Sequence, residues 1–419
     1  MKILFLSHYF PPEVNAPAYR TYDHCKEWVR LGHEVTVITC FPNHPAGEIF
    51  EGYQNRWRQE ETRDGIRLIR VWTYPTPNAG IFLRALNHIV FMLLGFWAAM
   101  RAPRHDVLVT TSPQFFNGLV GLPIRWFKRI PWVLEIRDLW PESIVAVGAI
   151  KNRFVIGILE WLEGVMYRNA DAIIVVTRTF RDVIAKRGIP PERISFVPNG
   201  VDLALFEPTG PDRELLKANG LEGKFVATYA GTLGMAHGLG HMLEAAAMLK
   251  DRPDIAILIV GDGAEREQLA AQRERLGLDN VKMVGLQPKE KLPGIWAASN
   301  VALVPMRATE VFKTILPSKI FEIMAMGVPF IMGIEGEAIG LVTGSNAGIA
   351  VPPGDAKALA DAIRTLADDK ERCRAMARNG RDYAAAHFDR RKLARDLLRQ
   401  LEAQARGRAI APSPSGATG

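Results

Sequence analysis

The sequence predicts an α/β protein built from two doubly wound domains. Three observations point there. Short apolar, β-branched runs alternate with helical periodicity along nearly the whole chain. Turn residues gathered between positions 198 and 211 interrupt that alternation. A length of 419 residues suits two cores better than one.

In the first half, strands are predicted at Ile3–Leu6, Val35–Thr39, Ile66–Val71, Val107–Thr110, Trp132–Ile136, Ala172–Val176 and Ile194–Val197. Helical patterns fall between several of them, at Tyr19–Leu31, Ile81–Met100, Arg153–Tyr167 and Phe180–Lys186. Pro198-Asn199-Gly200-Val201-Asp202 carries strong turn signals, and Pro208–Pro211 is a further breaker cluster. A second series follows, with strands at Phe225–Tyr229, Ile255–Val260, Val281–Val284, Val301–Val304 and Phe330–Met332. After Pro352-Pro353-Gly354-Asp355 the pattern is helical to about Ala405, and the remaining residues read as a disordered tail. The domains are therefore expected at 1–200 and 201–390, with a terminal helix and tail over 391–419.

A hydrophobic content of 48% with 23% charged residues fits a soluble globular chain. The three cysteines, Cys25, Cys40 and Cys373, have neither disulfide nor zinc spacing, which fits a reducing, cytoplasmic compartment. MKILFLSHYF reads as a first strand rather than a signal peptide. The net charge of +7 is uneven: Arg84 to Arg137 holds seven basic and two acidic residues. The same region contains the twelve-residue apolar run Ile89–Met100, too short to span a bilayer, and the basic-aromatic cluster Arg125-Trp126-Phe127-Lys128-Arg129. Basic groups beside aromatic ones suit an anionic lipid surface, so 81–101 and 125–129 are expected to hold the protein peripherally on the inner face of the cytoplasmic membrane. The alternative is a core helix with a solvated basic end. No nucleic-acid motif accompanies the charge, and no nucleic-acid partner is expected.

Three junctions carry the chemistry. The strand ending at Tyr229 runs into AGTLGMAHGLG, and the one ending at Val260 into Gly261-Asp262-Gly263. Glycine-rich strand-to-helix loops let backbone amides approach a phosphate. The third junction is Lys313 to Pro329, KTILPSKIFEIMAMGVP. There Pro317 suits the first helical position, and Ile320, Ile323, Met324 and Gly327 form an apolar face. Lys319 and Glu322 share another face; alone they would read as a surface ion pair.

Together these loops resemble the glycosyltransferase family 4 members of the GT-B fold, over nearly the whole chain. PNGVD is similar to that family's interdomain turn, AGTLGMAHGL to its donor-phosphate loop, VGDG to its second glycine loop, and PSKIFEIMAMGVP to its donor-binding helix. In the first domain, FPPEVNAPAYRTY, GHEVTVIT and EIRDLWPES resemble a subgroup that transfers N-acetylated sugars in bacterial surface polysaccharide synthesis. The resemblance implies two Rossmann-like domains facing a cleft, a nucleotide sugar on the second and the acceptor on the first. It implies transfer with retention, no metal, and no cofactor, since the nucleotide sugar is a substrate. The chain has no acidic DxD cluster and no His/Cys ligand set.

Carried over residue by residue, donor binding falls on Gly231, Thr232, His237, Gly238, Gly261, Gly263, Lys313, Ser318, Lys319 and Glu322. Glu322 is the expected acceptor of ribose hydroxyl hydrogen bonds. The acceptor side falls on Glu13, Asn15, Ala16, Arg20, Arg137 and Asp138, and the catalytic set on Glu322, Thr314 and Arg137. The chain departs from the family's pattern in the glycine-rich loop after the first strand, which becomes Glu13-Val14-Asn15-Ala16-Pro17-Ala18, and at four single positions. Thr314 stands where the first of two glutamates is usual, Thr232 and His237 replace an Arg and a Lys in the phosphate loop, and Arg137 replaces a histidine. Because a leaving diphosphate gains negative charge, the missing cations need a substitute. Lys313, Lys319 and Arg307 are the candidates, with His237 contributing if it is an imidazolium.

The expected function is transfer of a sugar from a nucleotide diphosphate, uridine-based, to a lipid-linked acceptor. Two alternatives stay open. A sugar-nucleotide epimerase of the same fold would need cleft carboxylates poised for acid/base work. A non-catalytic scaffold is motivated by the lost glutamate and phosphate-loop cations.

Overall fold

Runs of Val, Ile and Leu form the central strands here because those strands are buried on both faces of the sheets. The computed structural model describes residues 1–44, 46–76, 81–146, 148 and 150–407. The chain divides into two units: Met1–Asn199 together with the chain from Arg390, and Gly200–Asp389.

The first unit runs β1 (Lys2–Leu6), α1 (Ala16–Arg30), β2 (Glu34–Cys40), β3 (Arg58–Arg63), β4 (Ile66–Val71), α2 (Ile81–Arg101), β5 (Val107–Thr111), α3 (Phe115–Leu119), α4 (Gly121–Lys128), β6 (Trp132–Ile136), α5 (Glu142–Ala146), α6 (Arg153–Asn169), β7 (Ala172–Val175), α7 (Arg178–Lys186) and β8 (Ile194–Phe196). Its eight strands lie in the order β3-β4-β2-β1-β5-β6-β7-β8, parallel except for β3 against β4. The order reverses between β1 and β5, and ligands of open α/β sheets bind outside the carboxyl ends of strands at such a point.

The second unit runs α8 (Arg213–Ala218), β9 (Phe225–Ala230), α9 (Gly240–Met248), β10 (Ile255–Val260), α10 (Arg266–Arg275), β11 (Val281–Val284), α11 (Leu292–Ala297), β12 (Val301–Pro305), α12 (Lys319–Ala325), β13 (Phe330–Gly333), α13 (Glu337–Ser345), β14 (Gly348–Val351), α14 (Ala356–Asp368) and α15 (Lys370–His387). Its six parallel strands are ordered β11-β10-β9-β12-β13-β14, with the reversal between β9 and β12.

The final helix, α16 (Arg390–Ala405), belongs to the first unit. Leu393, Ala394, Leu397 and Leu401 enter the core with Ile3, Phe5 and Trp28, and Trp28 Nε1 donates to the Ala394 carbonyl at 2.8 Å. The stretch 391–419, set apart by sequence, therefore contributes a packed helix to the amino-terminal unit; the expected tail lies outside the described residues.

One strand was not expected from the sequence, and one expectation is corrected. β3, RQEETR, lacks apolar alternation because it is an edge strand, held to β4 partly by Glu60–Arg67 and Glu61–Arg70 pairs. Pro317 precedes α12 rather than opening it: the helix starts at Lys319, with Ile320 N–H donating to the Pro317 carbonyl. Gly327 lies beyond the helix at φ +65°, a left-handed stop that any side chain would strain, while Ile320, Ile323 and Met324 form the buried face.

Candidate active site

In the second unit, the loops after β9 and β10 lie backbone against backbone. Gly231 N–H donates to the Val260 carbonyl at 2.9 Å and Leu233 N–H to the Asp262 carbonyl at 2.9 Å. Gly261 (φ +144°) and Gly263 (φ +156°) permit this approach, because a Cβ on either would collide with the Gly231 or Leu233 carbonyl. A Cβ on Gly231 would lie 2.6 Å from Lys319 Nζ. Thus the lysine at the start of α12 reaches the bare backbone of the β9 loop, beside the reversal of strand order.

Lys319 is half-buried as a residue, but its Nζ is enclosed and finds no hydrogen-bond acceptor among the described residues. It rests 3.9 Å from the centroid of the Tyr229 ring, a cation–π contact. Burial pulls its pKa down to about 7, against the opposing pull of the Glu322 carboxylate. The other candidate cations are committed elsewhere. Lys313 Nζ pairs with Glu310 at 2.7 Å and Glu335 at 3.3 Å, and Arg307 Nη2 lies 3.3 Å from Glu265. His237 is not a cation at neutral pH, because burial, reinforced by Lys319, lowers its pKa to about 4. The imidazolium considered from sequence is therefore set aside.

Thr314 ends a short 3₁₀ turn (Val311–Thr314) and, like Glu322, is half-buried. Ser318 has helical backbone angles and makes no side-chain cap, while Thr232 is exposed. Gly238 (φ +58°) packs against Arg307 at the edge of a cavity of about 580 Å³ that Glu265, Gln268 and Thr309 also line. Sequence reasoning missed Tyr229. Its place one residue before a strand's end, ahead of a glycine loop, was the available signal.

In the first unit, the structure gives most of the expected acceptor residues work inside the fold. Asn15 caps α1 by accepting from Ala18 N–H at 2.8 Å, and Ala16 is the first helical residue. Glu13 accepts from the backbone N–H groups of Asn43 and His44, both at 3.0 Å, and burial raises its pKa to about 7. Arg20 donates through Nε to Glu135 at 2.9 Å, through Nη1 to the Pro198 carbonyl at 2.6 Å and through Nη2 to the Val197 carbonyl at 3.0 Å. It ties α1 to β6 and to the turn that closes the unit.

Arg137 and Asp138, which alone would read as an ion pair, are not paired. Asp138 accepts from Ser143 Oγ at 2.9 Å, and burial raises its carboxyl pKa to about 6. Arg137 Nε and Nη1 are enclosed without acceptors among the described residues, and burial lowers its pKa to about 10, so it stays protonated at pH 7.

Residues 15–200 match the glycosyl transferase 4-like domain, and residues 212–383 match the glycosyl transferases group 1 model. The chain belongs to the GT-B glycosyltransferases. It is 25% identical over 414 residues, 96% of this chain and 100% of the relative, to WcaI of Escherichia coli (strain K12), whose name assigns it to glycosyl transfer in colanic acid biosynthesis. It is 29% identical to the 2-deoxystreptamine glucosyltransferase of Streptomyces kanamyceticus, covering 69% of this chain and 74% of that one. Among solved structures, sucrose-phosphate synthase from Thermosynechococcus elongatus has a TM-score of 0.76 at 22% identity, covering 96% of this chain and 99% of that one. Anabaena HepE in complex with UDP-glucose has a TM-score of 0.71 at 22% identity, covering 96% and 100%. These likenesses establish the fold.

One surface of this GT-B glycosyltransferase stands apart. Helix α2 spans Ile81–Arg101, one residue beyond the expected Ile81–Met100, and by length and composition could cross a membrane. One side of it is core: Phe91, Ala98 and Ala99 are buried, Phe91 edge-on to His8. On the other side Leu83, Leu86, Leu93 and Trp97 are exposed, beside Trp126 (73%) and Phe127 on α4. Phe96 joins the two helices through Phe127, with 6.0 Å between ring centroids. Phe154 and Trp161 of α6, which sequence reading passed over, are also exposed.

Proposed function

We propose that this chain is a retaining, metal-independent glycosyltransferase that moves an N-acetylated hexose from a UDP-sugar to a lipid-linked acceptor in cell-surface polysaccharide synthesis. It works from the cytoplasm, peripherally on the inner face of the membrane, and needs no cofactor. The observation that carries the reading is the enclosed, acceptorless Nζ of Lys319 against the bare backbone of Gly231. A buried ammonium is costly unless an anion completes it, and the diphosphate of a nucleotide sugar is such an anion.

In this reading Lys319 takes the charge role that Thr232 and His237 do not fill. The side-chain-free backbone at Gly231, Gly238, Gly261 and Gly263 leaves room for the phosphates, the N–H groups of Gly231, Gly261 and Gly263 being bonded within the fold, and Glu322 accepts from the ribose hydroxyls. Thr314 and Ser318 bond the sugar, and Arg137 with Asp138 faces the acceptor. Lys313 enters only by exchanging its carboxylate partners. The acceptor hydroxyl oxygen bonds to the anomeric carbon as the bond from that carbon to the phosphate oxygen breaks. The hydroxyl proton passes to the departing phosphate, and a fixed cation there lowers the barrier. Support for UDP comes from solved neighbours carrying it, and support for a polysaccharide role from the likeness to WcaI. The exposed aromatic and apolar residues of α2 and α4, flanked by Arg101, Lys128 and Arg129, support docking on an anionic lipid surface.

A thermal-shift panel with uridine, guanosine, adenosine and thymidine diphosphates tests the donor, since a ligand of the folded state must raise apparent stability. UDP is expected to give the clear shift, and Glu322→Ala to lose it with its unliganded melting temperature kept. Undiminished UDP affinity in that variant overturns the ribose assignment. Silence from every nucleotide favours the scaffold reading that Thr314, Thr232 and the neutral His237 motivate.

A further inference from the structure

Among the described residues, Lys319 is matched by a second cation, two of whose nitrogens are enclosed without acceptors. Arg137 follows β6 at the carboxyl edge of the first unit's sheet, and its Nε and Nη1 find no partner. The reason is not a lack of carboxylates nearby. Glu135 is close enough for the two groups to shift each other's pKa. Its oxygens are engaged, however: Oε1 by Arg20 Nε at 2.9 Å and Oε2 by Thr111 Oγ1 at 2.6 Å. Asp138 is turned toward Ser143. The remaining charged neighbours, Arg20 and Arg390, are like-charged and disfavour the guanidinium further.

A packed apolar side chain of similar volume would cost less at this position than a charge left without acceptors. Arg137 is intermediate in exposure as a residue, although its Nε and Nη1 are enclosed. At the same sheet edge, on the loop after β1, Asn15 Nδ2 is another enclosed donor without an acceptor. A buried guanidinium with enclosed N–H groups and no acceptor fits an oxyanion.

We propose that Arg137 binds a phosphate oxygen of the acceptor, so that the acceptor is itself a phosphate or diphosphate ester. This rests on the glycosyltransferase reading and narrows its acceptor to a class. The same chemistry could be offered by the diphosphate of the donor, and the test separates the two sources.

Full-length wild type, Arg137→Met, Lys319→Met and the double variant are titrated calorimetrically with inorganic pyrophosphate and, separately, with UDP. Lys319→Met is expected to lose UDP binding yet still bind pyrophosphate, and adding Arg137→Met to it should weaken that remaining binding by about tenfold or more, as expected for a lost charge-assisted hydrogen bond. Arg137→Met alone should keep UDP affinity within about twofold, well short of the tenfold step. Pyrophosphate binding in the Lys319→Met background that ignores Arg137→Met overturns the proposal. So does an Arg137→Met protein that loses UDP, which would assign the guanidinium to the donor. A wild type that never binds UDP removes the donor reading instead and leaves the pyrophosphate arm interpretable. Unliganded Arg137→Met should melt at or above wild type, because a buried charge without acceptors has been removed. Should that variant not fold, Arg137→Lys replaces it in the pyrophosphate titration: a Kd raised about tenfold supports the proposal and an unchanged one overturns it.

Discussion

The ammonium of Lys319 and the ring of Tyr229 are 3.9 Å apart, so the ring backs a charge that has no hydrogen-bond acceptor among the described residues. Tyr229 in turn donates from its hydroxyl to the Thr232 carbonyl at 2.6 Å, so the lysine, the ring and the β9 loop are mechanically linked. Whatever binds beside Gly231 meets a cation already aimed.

Because burial lowers the Lys319 pKa to about 7 in the empty site, donor binding should be proton-linked. An anion raises that pKa, so affinity for UDP is full below about pH 7 and falls as pH rises through it, with proton uptake on binding in the window above 7. Calorimetry at pH 8 in buffers of different ionisation enthalpy measures the uptake; none at pH 8 would show that Lys319 is not the phosphate anchor. Stability has its own sign. The folded pKa lies below the unfolded value near 10.4, so the cost of burying the charge is complete below pH 7 and is relieved between 7 and about 10. Lys319→Met should therefore melt above wild type at pH 6, by a margin that narrows at pH 9.

Gly261→Ala should damage the second unit without touching any side chain. At φ +144° the new Cβ meets the Gly231 carbonyl, and the two loops must separate. A loss of about 2–4 kcal/mol in denaturant unfolding, with UDP binding weakened, is expected. Wild-type stability would mean the loops have room to part.

The two faces of α2 should answer differently to the same chemistry. Phe91→Ser buries a hydroxyl where a fully enclosed ring packed, and should cost about 3–5 kcal/mol, comparable with Phe→Ala in a core. Trp97→Ser with Trp126→Ser removes exposed rings and should leave the melting temperature within a few degrees. Co-sedimentation with vesicles containing anionic lipid should fall sharply in that pair. Unchanged sedimentation would remove these residues from the membrane surface.

Glu13 predicts a further pH effect. Burial raises its folded pKa to about 7 against three backbone N–H donors that stabilise the carboxylate. Stability from this group is complete below about pH 4.5 and is lost as pH rises through 7. Glu13→Gln should fold and should flatten the pH dependence of melting between about 5 and 8. A profile identical to wild type would show that Glu13 does not titrate there.

Much of the fold was legible because parallel strands covered on both faces read as short apolar runs, and β4, β6, β10 and β11 fall at their expected bounds. Strands β3 and β14 were not: RQEETR carries no apolar run, and GIAV is a four-residue stretch with only partial cover. At the site, Gly231, Gly261 and Lys319 were legible as residues, but not what each one meets.

The sequence by itself determined the alternating α/β grammar, two cores of adequate size, and glycine at the positions where positive φ brings the β9 and β10 loops together. Those properties are local, set by periodicity and backbone sterics within a few residues. Only the tertiary structure decided which charges are spent. Lys313 and Arg20 find carboxylates, Lys319 and Arg137 find none free, His237 loses its proton to burial, and α16 closes the first unit from 360 or more residues away. A charge's fate depends on desolvation and on which carboxylates other elements deliver, and neither is written in the residues that flank it.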